Sequence, residues 1–238
     1  MRIWRFTALL VFLMTGVCCA FTLGAFEKPV KLAGTEIPHP ATAPDFTLTD
    51  QRGQPFHMAE TKGRVVVVTF IYTHCTDLCP FIALKVKNAR DQLGKDADKA
   101  VFVAVTTDPQ RDTEQVIAAY SRAAGLYDGW HFVTGPASSV KDVWYNYGVG
   151  VDIEKPADTK ESSTKPGNAT DEPEPTQGLS PEEVGNAHRI VDQFGGGYDV
   201  SHSAPFWIID RQGRIRASMD ADALPSDIAG NVRALMSR

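Results

Sequence analysis

The sequence predicts an α/β domain of three layers, in which a mixed β-sheet lies between two layers of helices. Two valine-rich runs, 65–70 and 101–105, have the composition of strands that are buried on both faces. A helix-like pattern follows each run, and a strand–turn–strand pattern with a final helix closes the chain. Strands that alternate with helices, together with a terminal hairpin, are typical of this architecture.

The individual elements follow from local patterns of hydrophobicity and from turn residues. The predicted strands are a hairpin over 45–58 with its turn at 51–54, then 64–72, 101–106, 130–133, and a second hairpin of 205–210 and 214–218. The predicted helices are 81–93, a helix up to residue 124 with Asp112 as its N-cap, 138–147 and 222–236.

The N-terminal stretch predicts a membrane anchor. Residues 6–26 carry no charge and follow Arg2 and Arg5, and about 20 apolar residues are enough to span a bilayer. We interpret 1–27 as an uncleaved signal anchor, with a cleaved signal peptide as the alternative. The arginines stay on the inner side in either case, so the rest of the chain is exported.

Two further segments differ in composition from the core of the domain. Residues 28–44 are rich in proline and polar side chains and are interpreted as a tether to a domain over 45–238. Residues 152–183 carry nine acidic and three basic side chains, and they predict a flexible insertion over 152–196. A docking arm for a basic partner is the alternative. The net charge of the whole chain is −5, which gives no support for a nucleic-acid partner. Subtracting the −6 of this segment leaves the remainder near +1.

The segment 70–80, FIYTHCTDLCP, places two thiols between a predicted strand and a predicted helix, with a proline at the expected helix start. Cys75 and Cys79 are the only cysteines outside the apolar N-terminal stretch, which contains Cys18 and Cys19. A helix N-terminus favours the thiolate form, which attacks disulfides and binds soft metals. In an oxidising compartment such a pair tends to form a disulfide unless it is reduced or bound to metal.

The spacing of the two thiols favours a metal site over a simple redox pair. Three residues separate Cys75 from Cys79, one more than in the spacing typical of redox motifs, and the wider loop has room to open around an ion. Two thiolates are an incomplete ligand set for copper(I), and an imidazole would complete a trigonal site. Copper(II) accepts the same imidazole. A structural disulfide remains the alternative at this stage.

One histidine and two carboxylates are candidates to complete the site. His202 lies in a predicted loop before a central strand, and such a loop can face the thiol turn; a purely structural loop histidine is equally consistent. His74 is a weak candidate, because neighbouring side chains of an extended segment point to opposite faces. Asp77, between the thiols, and Asp108, at the end of the second strand, are candidates to orient a ligand by hydrogen bonding. The alternatives are a helix-start carboxylate for Asp77 and a turn residue for Asp108.

Three blocks of this sequence resemble those of the Sco/SenC family of copper metallochaperones. They are THCTDLCP at 73–80, TTDPQRDT at 106–113, and YDVSHS at 198–203 followed by FWIIDRQG at 206–213. The resemblance covers residues 45–236 apart from the insertion. Thr76 stands where the family usually has proline, and Ser201 stands where aspartate often precedes the histidine.

This resemblance implies a thioredoxin-like fold, an N-terminal membrane anchor and copper binding by Cys75, Cys79 and His202. It implies delivery of copper to the dinuclear copper site of cytochrome c oxidase during assembly, on the periplasmic or other extracytoplasmic side of the membrane. The expected partners are the copper-site subunit of the oxidase and other periplasmic copper chaperones or thiol reductants.

Other functions use the same residues differently. A thiol–disulfide oxidoreductase that reduces the copper-site cysteines of the oxidase would use Cys75 and Cys79 as attacking and resolving thiols. A peroxidase of related fold would need one activated thiol and a peroxide pocket, for which the sequence shows no specific sign. A copper or redox sensor would signal through the acidic insertion.

Overall fold

The computed structural model describes residues 31–153 and 176–237, and its centre is a sheet covered by helices. The strands are β1 Thr35–Glu36, β2 Thr47–Asp50, β3 Pro55–His57, β4 Val65–Ile71, β5 Ala100–Thr106, β6 His131–Thr134, β7 Val151–Ile153, β8 Val200–His202, β9 Phe206–Ile209 and β10 Ile215–Met219. The α-helices are α1 Leu78–Leu93, α2 Glu114–Ala123, α3 Ala137–Asn146, α4 Pro181–Phe194 and α5 Pro225–Met236. The sequence-based prediction of a mixed α/β architecture is confirmed.

The main sheet has the strand order β1-β10-β9-β4-β5-β6-β2-β3. The central strands β4, β5 and β6 are parallel, and every residue of β4 and β5 is buried. The neighbours on both sides are antiparallel. Because both faces of β4 and β5 are covered, neither strand alternates between apolar and polar residues, which explains their unbroken apolar runs.

The two faces of the sheet bury different helices. Alternate residues of β4, namely Val66, Val68 and Phe70, belong to one core cluster with Trp144 of α3. On the other face α5 packs on β4, and α1 packs against both α5 and α4. The side chains therefore form three layers, and the carboxyl end of β4 leads directly into the turn before α1.

Part of the predicted flexible insertion is a helix. The segment 152–196 was expected to lack packing, but α4 occupies Pro181–Phe194. Ser180 and Glu183 form a capping box with Pro181 at the helix start, the combination that stabilises a helix N-terminus. The apolar face of α4 packs on α1 through Ala187. Residues 154–175 lie outside the described residues.

The N-terminal predictions are tested only in part. Within the predicted tether, Thr35 and Glu36 pair antiparallel with Ser218 and Ala217, so this part of 28–44 belongs to the sheet. The described residues from Leu32 onward form one compact unit. No helix within 31–153 or 176–237 combines the length and apolar character needed to cross a membrane. The predicted anchor, 1–27, lies outside the described residues.

Candidate functional site

The two thiols lie where β4 passes into α1. Cys75 is in the turn, and Cys79 is the second residue of α1, which begins at Leu78. The helix therefore starts earlier than predicted, and Pro80 is its third residue; this is compatible with a helix because N–H groups of the first turn have no helical acceptor. The Cys79 backbone N–H donates to Cys75 Sγ at 3.4 Å. Both thiols are buried, with 6% of Cys75 and 1% of Cys79 exposed.

His202 lies beside this turn although it follows Cys79 by 123 positions in the sequence. It lies on the short strand β8, where it pairs with Val151, and not in the loop that the sequence predicted. Its Nε2 is 3.7 Å from Cys79 Sγ. Its Nδ1 is 3.1 Å from the Ser203 carbonyl oxygen, which can only accept. Nδ1 therefore carries the proton, and Nε2 presents its lone pair to the thiol.

A cavity of about 390 Å³ joins these groups. Cys75, Cys79 and His202 all line it, with Tyr72 on its inner side and the exposed Asp77 at its rim. The three donors share one cavity, but within 31–153 and 176–237 no set of three or more Cys, His, Asp or Glu side chains already has the arrangement of a metal site.

The two thiols have opposite acid–base behaviour. The pKa of Cys75 is lowered to about 7, chiefly by its hydrogen bond with the Cys79 side chain, with further help from the Cys79 and Asp77 backbone N–H groups and the Tyr72 side chain, against the opposing effect of burial. Burial, followed by the neighbouring Cys75, raises the pKa of Cys79 well above its usual range. Burial lowers the pKa of His202, so its imidazole is neutral at neutral pH. The helix start was expected to favour the thiolate form of both cysteines, but only the pKa of Cys75 is lowered.

We expect Cys75 to be the first thiol to react with iodoacetamide in the reduced, metal-free protein. Its alkylation rate should rise with pH around a midpoint of about 7, because only the thiolate attacks. Quenched time points and peptide mass spectrometry give the rate at each thiol. In Cys79→Ala the midpoint should rise, since the strongest hydrogen bond to Cys75 is lost. Faster modification of Cys79 than of Cys75 would contradict this ordering.

A buried carboxylate beneath the turn was missed by sequence reasoning. Asp112 was predicted to cap α2, but Thr113 occupies that position and accepts from the Val116 N–H. The fully buried Asp112 instead accepts from the Thr73 and Thr106 hydroxyls at 2.6 and 2.5 Å. It also accepts from the Thr73 N–H at 3.2 Å. It thus joins the ends of β4 and β5 beneath the thiols, and burial raises its pKa to about 7.

The two carboxylates proposed from the sequence have different surroundings. Asp108 is fully buried, pairs with Arg111 and accepts from the Tyr198 hydroxyl at 2.7 Å, so its described contacts lead to the segment before His202 and not to a thiol. Asp77 occupies the N-cap of α1 without a side-chain cap bond. Its backbone N–H, and not its carboxylate, bonds to Cys75. An orienting role for either carboxylate toward a ligand stays a prediction.

His74 is not among the residues that line the cavity. Its Nδ1 lies 2.9 Å from the Thr73 hydroxyl. His202 is thus the histidine that the described structure brings to the thiols.

An α/β domain with a thiol pair after a central parallel strand, faced by an imidazole, is of the class that performs thiol redox chemistry or binds soft metals. The sequence profile of the SCO1/SenC family matches residues 34–168. The chain belongs to the SCO1/SenC family.

Individual relatives agree with this assignment. The chain is 29% identical over 118 residues to an SCO2-like protein of Rickettsia prowazekii, an alignment that covers 50% of this chain and 52% of that protein. It is 36% identical over 78 residues to the mitochondrial SCO2 homologue of Mus musculus, covering 32% of this chain and 31% of that protein. Such alignments span about half or less of the relatives' length.

Solved structures share the fold. The copper-bound ScoI of Bradyrhizobium japonicum superposes with a TM-score of 0.60 at 23% identity, covering 82% of this chain and 99% of that one. The apo Sco1 of Thermus thermophilus gives a TM-score of 0.59 at 22% identity, covering 89% of this chain and 99% of that one. BsSco, a member of the Sco family of cytochrome c oxidase assembly proteins in which a disulfide switch is identified, gives a TM-score of 0.57 at 17% identity. The superposition covers 85% of this chain and 97% of that one. The expected thioredoxin-like fold is thereby confirmed.

Proposed function

We propose that this protein is a copper metallochaperone that holds copper through Cys75, Cys79 and His202 and delivers it to the dinuclear copper site of cytochrome c oxidase during assembly. The observation that carries the proposal is the 3.7 Å approach of His202 Nε2 to Cys79 Sγ beside Cys75. Family membership and the copper bound to a Sco protein of the same fold support it.

The donor chemistry fits copper(I). Thiolates are soft ligands and imidazole is a borderline one, so two sulfurs and one nitrogen make a trigonal set for copper(I), while copper(II) also accepts the imidazole. The neutral His202 has its Nε2 lone pair available. Copper is the cargo, and a three-coordinate ion in an open cavity leaves room for an incoming thiolate. Transfer can then proceed by ligand exchange without release of free ion.

Anaerobic titration of the full-length reduced chain with copper(I), against a competing chelator, tests the proposal. We expect one tightly bound copper per chain in the wild type. His202→Ala should lower the affinity by at least about tenfold, since one of three donors is lost. His57→Ala is the matched control, because His57 lies in the β2–β3 hairpin and bonds to Thr47. Equal affinities in the wild type and His202→Ala, or no copper in the wild type, would refute the assignment.

A thiol–disulfide oxidoreductase is the second candidate, and the unequal thiols favour it. The Cys75 thiolate would attack a target disulfide, forming a mixed disulfide and releasing one target thiolate. Cys79, once deprotonated, would attack Cys75 Sγ, releasing the second target thiolate. The target gains two electrons and the Cys75–Cys79 pair becomes a disulfide, which an external thiol reductant must restore. Reductase activity that persists in His202→Ala, without copper delivery in the wild type, would select this function.

The proposed setting is extracytoplasmic. We propose an anchor at 1–27. The proposed partners are the copper-site subunit of the oxidase, other copper chaperones and thiol reductants. The orientation expected from Arg2 and Arg5 supports export. Cleavage of the domain by protease added to spheroplasts, compared with intact cells, measures its placement, and membrane fractionation measures its attachment.

A further inference from the structure

We propose that Tyr72 is the residue that positions the three copper donors relative to one another, with its hydroxyl joining the strand of His202 to the thiol turn. This inference rests on the proposed copper function for its metal readout. It also makes a prediction for the metal-free protein, so the positioning role of Tyr72 and the proposed copper function can be refuted separately.

Tyr72 is the common neighbour of all three donors. It directly follows β4 and is 4% exposed, with its side chain on the inner side of the cavity. Its side chain helps to lower the pKa of Cys75, and its backbone opposes the rise in the pKa of Cys79. Its ring packs edge-to-face with the His202 ring, with centroids 5.7 Å apart and an angle of 74° between the planes. A change at this one side chain therefore acts on the thiol turn and on the imidazole together.

The Tyr72 hydroxyl links the residue after β4 to β8, the strand that carries His202. The Val200 N–H, at the start of β8, donates to Tyr72 Oη at 3.3 Å. The hydroxyl proton is then available for Cys75 Sγ, because one phenol oxygen can accept and donate at once. Tyr72 thus ties the start of β8 to the residue that follows β4 and leads into the thiol turn. This link acts on the distance between the thiol turn and the strand that carries His202.

Other groups hold the approach to β8 but do not touch a thiol. Arg111 donates to the Gly196 carbonyl at 3.0 Å and stacks its guanidinium on the Tyr198 ring, 3.6 Å from the centroid. The same guanidinium lies 5.7 Å from the centroid of the Tyr72 ring. The Arg111 guanidinium therefore lies near the Tyr72 ring as well as on the Tyr198 ring.

Tyr72→Phe tests the role of the hydroxyl, because it keeps the ring beside His202 and removes the hydrogen bonds. In the metal-free protein the Val200 amide should exchange with solvent faster, and the His202 ring resonances should shift. In the loaded protein the copper(I) affinity should fall about two- to tenfold, the amount expected for one lost hydrogen bond. The thiolate-to-copper(II) absorption band should move to longer wavelength, since a sulfur without its hydrogen-bond donor is a stronger electron donor.

Tyr147→Phe is the matched control. It also removes a hydroxyl from a buried tyrosine, but one that donates to the Pro44 carbonyl at 2.9 Å in the cluster around α3. We expect it to leave the Val200 exchange, the affinity and the absorption band unchanged. Unchanged Val200 exchange and His202 resonances in Tyr72→Phe would overturn the positioning role. A wild type that binds no copper would overturn the proposed function, while the exchange measurement would still decide the role of Tyr72.

Discussion

Replacing either cysteine of the turn with alanine is expected to abolish stoichiometric binding of copper(I). Cys75→Ala and Cys79→Ala each leave one sulfur and one imidazole, which cannot make the trigonal set that retains a soft ion. Cys79→Ala also removes the partner that lies 3.7 Å from His202 Nε2. The copper-to-protein ratio after anaerobic gel filtration in the presence of a chelator should fall from one to near zero in both variants.

The remaining thiols of the chain supply the control for this experiment. Cys18 and Cys19 lie in the apolar N-terminal stretch, so a variant with both changed to serine should retain one copper per chain. Stoichiometric copper in either alanine variant, or loss of copper in the double serine variant, would show that the turn is not the site.

The largest expected effect on stability belongs to Phe70→Ala. Phe70 lies near the end of β4, is 0% exposed, and contacts Tyr147 with ring centroids 5.8 Å apart. Removing the ring loses its burial and leaves a cavity between the sheet and α3, which costs about 3–5 kcal/mol of unfolding free energy. Urea denaturation of the metal-free chain measures this loss without a contribution from bound copper.

Tyr145→Ala is the comparison for that measurement. Tyr145 lies on α3 and is 86% exposed, so its loss should change the unfolding free energy by less than about 0.5 kcal/mol. A similar loss in both variants would mean that the cluster around Phe70 does not support the sheet as described.

The central fold was predictable because its signals are local. The valine runs of β4 and β5 have a composition that solvent-exposed strands do not tolerate, and Arg211–Gln212–Gly213 marked the terminal hairpin. The helix α4 was missed for a different reason. The acidic composition of 152–183 outweighed its capping box, and only the contact of its apolar face with α1 shows why the helix is stable.

The site was predictable in its parts and not in its geometry. The Cys75–Cys79 spacing made the two thiols candidates, but no local pattern determines the pairing of His202 with Val151, which places the imidazole beside them. The sequence predicts an ordinary helix cap at Asp112. Its partners, Thr73 and Thr106, lie at the ends of β4 and β5, and these ends come together only in the tertiary structure. Long-range pairing of this kind depends on the whole fold and leaves little trace in a local pattern.

The separation between Cys79 and His202 has a consequence for the life of the newly made chain. These residues meet across 123 positions of sequence. At common translation rates the ribosome needs roughly 6–25 s to pass from the first to the second. During that interval the growing polypeptide carries the two thiols without the histidine, so the proposed set of three donors becomes complete only once residue 202 has been made. If copper binds as proposed, a product truncated before His202 would lack the third donor and would retain copper less tightly.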